Sequence, residues 1–229
     1  MLGKLSCAAL CAALVSFAGG AAADHIWINE FHYDNDGADA NEFVEVAVRS
    51  GPAFNPADFS VQPYNGNGGA TYGTAQPLSA FTVGATSPIA GSVESVTFYS
   101  FVFTGTDSNG LQNGAPDGLA LVNTVTPSVV EFLSYEGSFM ATNGPAMGAT
   151  SVDIGVSETD DGVLTSLGLV GAGSSAADFT WALIADGSAT PGAVNTGQTL
   201  GPAAVPEPAS IALMALCVAG VVGMRYRLG

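Results

Sequence analysis

The chain has 229 residues but only four lysines and arginines: Lys4, Arg49, Arg225 and Arg227. Three of these lie in the two hydrophobic ends. Residues 24–204 therefore carry one cation, Arg49, against 19 acidic residues, a net charge of −18. Binding a nucleic-acid backbone requires basic side chains that displace counterions, so no nucleic-acid partner is expected. Such a body repels anionic headgroups as well, and suits cations, neutral sugars or a basic partner. The same charge also serves solubility alone. Cysteine is missing from the body too, because Cys7, Cys11 and Cys217 all fall in the ends. That excludes internal disulfides and thiolate nucleophiles, and leaves packing to hold the fold. Lysine is absent from residues 24–204, histidine is limited to His25 and His32, and no Gly-x-Ser-x-Gly elbow or phosphate loop occurs. Of the catalytic residue types, carboxylate pairs are the ones in good supply, the kind that glycosidases use.

The two ends read as sorting segments. Residues 1–23 have Lys4, an apolar run from Leu5 to Phe17 and Ala21-Ala22-Ala23 before Asp24, the layout of a cleaved signal peptide with a short apolar helix. Residues 205–229 have Pro206-Glu207-Pro208, a hydrophobic stretch from Ala209 to Met224, then Arg225 and Arg227. As a helix that stretch measures about 24 Å, marginal for a bilayer, with the arginines expected to stay cytoplasmic. These three parts in this order resemble the PEP-CTERM sorting signal. The resemblance implies an exosortase partner, transient anchoring of the C-terminal helix in the inner membrane of a Gram-negative bacterium, and then surface attachment or release.

Residues 24–204 form a single domain of alternating strands and turns. The stretch from His25 to Val48 is patterned as a β-hairpin around an acidic turn. A register setting Ile28 against Val46 also sets Ile26 against Val48 and Phe31 against Phe43. It leaves Glu30 on the aliphatic face beside Val44, where a carboxylate needs donors or a cation. Further strands are expected over 96–104, 119–122, 129–135, 164–170 and 179–184. With 30 glycines and 12 prolines in the chain, seven to nine strands and many turns indicate an all-β, two-sheet sandwich.

Ile28-Asn29-Glu30-Phe31, Asn41-Glu42-Phe43-Val44-Glu45-Val46 and the closing Thr190-Pro191-Gly192-Ala193-Val194-Asn195 resemble the lamin-tail domain. That resemblance implies an immunoglobulin-like β-sandwich in residues 24–204, and an exported setting often shared with nucleases or phosphatases. No such catalytic domain accompanies this copy.

Two loops carry candidate ligand sites. Asp34, Asp36, Asp39, Asn41 and Glu42 crowd oxygen donors onto one hairpin loop, a composition suited to calcium, though without EF-hand spacing. Asn, Asp and Gly also dominate turns that bind nothing. A second acidic cluster begins at Glu158. Tyr64, Asn65, Asn67 and Tyr72 offer ring faces and amides for a neutral sugar, or plug the end of the sandwich. The sequence thus points to an exported, non-enzymatic surface or matrix protein that interacts with exopolysaccharide or envelope proteins. The alternative is an extracellular hydrolase, or the accessory domain of one.

Overall fold

The computed structural model describes residues 25–35, 37, 40–51, 54–103, 110–158 and 165–202. The expected signal helix and the C-terminal hydrophobic helix lie outside them. Among the described residues no helix is long and apolar enough to cross a membrane.

The strands are β1 (Ile26–His32), β2 (Phe43–Arg49), β3 (Phe59–Asn65), β4 (Ala70–Thr71), β5 (Gln76–Pro77), β6 (Thr82–Pro88) and β7 (Ser95–Val102). They continue with β8 (Asp117–Asn123), β9 (Ser128–Tyr135), β10 (Val152–Asp153), β11 (Ser166–Gly173), β12 (Thr180–Ile184) and β13 (Gln198–Leu200). One sheet has the order β12-β11-β1-β2-β7-β6, with β13 added beside β11. The other has the order β10-β9-β8-β3-β4, with β5 beside β3. The all-β, two-sheet architecture read from the sequence is present.

Between the sheets, Ile26, Ile28, Phe31, Tyr33, Val44, Val46 and Val48 meet Val61, Leu119, Leu121 and Tyr135. Tyr33 and Tyr135 stack with ring centres 4.0 Å apart, across the two sheets. Each large apolar side chain so enclosed stabilises the fold by about 1.5–3 kcal/mol. Both outer faces are covered as well. Trp27, Ala47, Val96 and Phe98 pack under Leu169, Phe179 and Leu200, while Tyr64, Val122 and Phe132 pack under Phe139 and Ala146. This explains why all seven residues of β1 are buried.

The hairpin register departs from expectation in its second half. Ile26 faces Val48 and Ile28 faces Val46, as read from the sequence, but a β-bulge then intervenes between Ile28 and Glu30. Beyond it Glu30 faces Glu45, Phe31 faces Val44 and His32 faces Phe43. One inserted residue reverses the side on which later side chains emerge. Phe31 therefore enters the core, and Glu30 leaves the aliphatic face to stand with Glu45.

Strand β3 alternates at Phe59, Val61 and Pro63 against Ser60 and Gln62, but its proline argues against a central strand. It is nevertheless flanked on both sides: β8 pairs along its whole length, and on the other side β5 pairs at Ser60 and Val61 and β4 at Tyr64 and Asn65. Pro63 falls in the gap between those two short strands, where its missing N–H costs no ladder bond.

Candidate functional site

Two polar assemblies flank the core, and the residues of the sequence motifs divide between them. The first lies on the outer face of β1 and β2. Asn29 donates to Glu45 Oε1 at 2.8 Å and to Asn195 Oδ1 at 2.9 Å, and accepts from Gln198 Nε2 at 2.8 Å and from the Trp27 indole at 3.1 Å. Asn195 donates in turn to the carbonyls of Asn29 and Leu169 at 2.9 and 3.0 Å. Glu30 accepts from the hydroxyls of Ser166 and Thr190 and from the Thr190 amide, and Glu45 accepts from the amides of Gly192 and Ala193. Burial raises the pKa of both carboxyls, and the neighbouring Glu30 adds to the rise at Glu45. Every one of these groups is bonded within the protein. The motif residues at the two ends of the body thus clasp the closing 190–198 segment onto the sheet, an assembly that holds structure.

The second assembly is at the pole of the sandwich where β1 ends and β2 begins. Glu158 fixes the hairpin loop: it accepts from His32 Nδ1 at 2.7 Å and from the amides of Tyr33 and Asp34 at 2.6 and 3.1 Å, while its own N–H donates to the Tyr33 hydroxyl. Burial opposes protonation of His32, but the bond to Glu158 and its charge outweigh burial and hold the pKa above its ordinary value. Segment 110–117 then lies across the pole. The Leu111 amide donates to Glu42 at 2.9 Å, Asn113 donates to Asp34 at 3.2 Å, and Asn65 donates to Gln112 Oε1 at 2.6 Å. The Gln112 amide donates to the Tyr72 hydroxyl at 2.7 Å.

Asp117 is the knot of this pole. It is 1% exposed, and its two oxygens accept from the amides of Gly66 at 2.9 Å and Gly114 at 2.8 Å. Burial raises its pKa against the pull of those two N–H groups. Around it run two open grooves. One of about 520 Å³ is lined by Asn65, Asn67, Gly114 and Asp117. The other, of about 390 Å³, is lined by Glu42, Gln112, Asn113 and Asp117. A smaller pocket of about 180 Å³ nearby is walled by Tyr72, Gln76, Phe101 and Phe103.

The structure thus brings the two loops singled out in the sequence to one pole. Tyr64 is not on its surface. The residue is fully buried against Phe132 and Phe139, its hydroxyl donating to the Asn143 carbonyl at 3.0 Å and accepting from the Ala146 amide at 2.9 Å. Its ring cannot stack on a ligand, because β3 turns that face under the 139–149 loop. Tyr72 is half-buried, Asn65 half-buried and Asn67 exposed. Asp34 and Glu42 both accept from segment 110–117, and Asn41 is exposed in a left-handed conformation with φ 59°. Asp36 and Asp39 lie outside the described residues, and among the described residues no group of three or more His, Cys, Asp or Glu could hold a metal ion. In the sequence Gln112, Asn113 and Asp117 stand within a Gly-containing turn, 110–118, with nothing local to mark them as a site. The one available signal was that two Gly-containing turns, at 65–69 and 110–118, both carried amides.

Comparison with known proteins identifies the C-terminal segment. Residues 204–227, which include Pro206, Glu207, Pro208, Arg225 and Arg227, match the model of the PEP-CTERM protein-sorting motif. No curated protein matches the chain, and no solved structure does. The motif makes this an exported, envelope-associated protein sorted by an exosortase.

Proposed function

We propose that this is a non-enzymatic surface or extracellular-matrix protein whose sandwich, an immunoglobulin-like domain of the lamin-tail type, is an interaction module for exopolysaccharide or envelope proteins. The clasp made by Asn29, Glu30, Glu45, Thr190 and Asn195 supports the domain assignment, because the residues that carry the resemblance are those that close the fold. The sorting motif supports the setting.

The observation that carries the reading is the placement of the two ends. His25 bonds back to the Arg49 amide, the Leu200 carbonyl accepts from Ala90, and Gly201 donates to Gly173, so the body begins and finishes at one pole. Arg49, the single cation of the body, sits there between Glu94 and the Ser174 carbonyl. The grooves around Asp117 lie at the other end of β2, roughly 23 Å away along seven residues. Six residues separate Pro202 from the hydrophobic stretch, a reach of roughly 20 Å. A chain anchored through residues 209–224 therefore hangs by the Arg49 pole and turns the grooved pole outward. There, backbone and side-chain amides and carboxylates suit hydroxyl-rich neutral chains or a basic protein surface.

Retention of the full chain on the producer's own polysaccharide and envelope proteins tests this. Binding without turnover of glycans, phosphoesters or nucleic acid supports the module; turnover lost on changing one groove carboxylate supports a hydrolase instead. Calcium enters this reading as a structural staple of the Asp34–Glu42 hairpin loop, with Asp34, Asp36, Asp39, Asn41 and Glu42 as its oxygen donors. A melting temperature that is the same in millimolar calcium and in chelator removes it.

A further inference from the structure

The sequence holds five Asn-Gly pairs, at 65–66, 67–68, 109–110, 113–114 and 143–144. In such a pair the glycine amide nitrogen can attack the side-chain carbonyl of the asparagine before it, since glycine puts no Cβ in the way. Four pairs have both residues among those described, and the structure treats them unequally. The amides of Gly66 and Gly114 are both bound by the Asp117 carboxylate, at 2.9 and 2.8 Å. Asn65 and Asn113 are also held at the side chain, by Gln112 and Asp34. Asn143 is fixed differently: its Oδ1 accepts from the Thr71 amide at 2.8 Å, and its carbonyl accepts from Tyr64.

Asn67 has none of these restraints. Its side chain is exposed, and the Gly68 N–H has no hydrogen-bond partner among the described residues. Gly68 has φ 101°, and the space where a Cβ would stand is open for 4 Å. We propose that Asn67 is a site of spontaneous deamidation, and that Asp117 protects the pairs at 65–66 and 113–114 by holding their glycine amides. Gly68 N forms a bond to Asn67 Cγ, the side-chain nitrogen leaves as ammonia, and a five-membered succinimide closes. Water then opens the ring at either carbonyl, leaving aspartate or isoaspartate, so that water is consumed and ammonia released. Asn67 lines the larger groove. The product places a new carboxylate on its rim, and the isoaspartate form adds one backbone atom to the turn that shapes it. An exported protein that persists outside the cell would thus alter its grooved pole with age.

The test uses the full chain in mild detergent, incubated at mildly alkaline pH, sampled over time and mapped by chymotryptic peptide mass spectrometry. The same incubation in concentrated urea gives the rate without structure. In the folded chain conversion is expected at Asn67, with Asn65 and Asn113 slower by about tenfold or more, the factor set by breaking a charge-assisted hydrogen bond first. In urea the three should convert at similar rates. In a chain already carrying Asn109→Gln, Asn67→Gln should remove the fast ammonia release while leaving the melting temperature unchanged. Equal rates at the three sites in the folded chain would overturn the proposal, as would an Asn67 that stays intact while the urea sample converts.

Discussion

Glu131→Gln should make the protein's stability markedly less sensitive to a rise in pH from the acidic range to just above neutral. Glu131 is on β9 opposite Leu121, on the face that looks between the sheets, and its carboxylate accepts from the Ile28 amide at 2.7 Å, where the bulge opens β1. Burial raises its pKa from 4.5 to about 7, the Ile28 bond pulling the other way but less strongly. The unfolded chain ionises near the ordinary glutamate value. The stabilisation from this group is therefore complete below that value and is lost as pH rises through about 7. A difference of about 2.5 pH units corresponds to about 3 kcal/mol at full burial, and the half-buried side chain lowers this to about 2 kcal/mol. Glutamine keeps the size and the acceptor for Ile28 without the charge. The stability of the variant relative to the parent should thus rise by about 2 kcal/mol between pH 4.5 and pH 8, or about 4–8 °C in melting temperature for a body of this length. Thermal and urea melts followed by circular dichroism across that range read the difference directly. Glu30, Glu45 and Asp117 also have raised pKa values, but they are common to both chains and cancel. Two parallel stability curves would refute the placement of this carboxylate between the sheets.

Other substitutions test the clasp and the close approaches. Asn195→Ala removes two donated bonds to buried carbonyls and takes one acceptor from the Asn29 amide, which keeps Glu45 and a longer bond to Gln198, so it should cost about 3 kcal/mol in urea unfolding. A Cβ on Gly84 would stand 2.2 Å from the Gly192 carbonyl oxygen, so Gly84→Ala should cost about 2 kcal/mol and increase hydrogen exchange in the 190–198 segment. Glu158→Gln keeps an acceptor for the loop amides but takes the charge from His32. The histidine pKa should fall, as followed by proton NMR titration, while the fold persists.

How much of this was legible in the sequence depended on whether a feature is local. The hairpin from Ile26 to Val48 was readable because alternation is a two-residue pattern, and the pairs Ile26–Val48 and Ile28–Val46 stand as expected while Phe31–Phe43 does not. The bulge was not, since nothing in Asn29-Glu30 announces an extra residue; the insertion is selected by distant groups, Ser166, Thr190 and Asn195, that receive the rotated side chains. Strands β3 and β6 escaped for opposite reasons. Pro63 broke the pattern of β3 at a place where pairing is interrupted anyway, and β6 is an almost wholly exposed edge with no apolar face to pattern. At the grooved pole the residue types were visible but not their grouping. Asp117 joins residues 66 and 114, which no spacing rule relates. Burial of Tyr64 was equally hidden, because the loop that covers it lies about eighty residues downstream.

The account turns on which pole meets other molecules. With no cysteine in residues 24–204, a single thiol can be introduced there and given a bulky label, with Cys7, Cys11 and Cys217 replaced by serine. Labelled Asn113→Cys places the bulk in the groove around Asp117, and labelled Ser92→Cys places it beside Arg49 at the opposite pole. Retention on the producer's polysaccharide and envelope fraction should be lost with the first label and kept with the second. Equal retention of both, or loss confined to the label at residue 92, would contradict it.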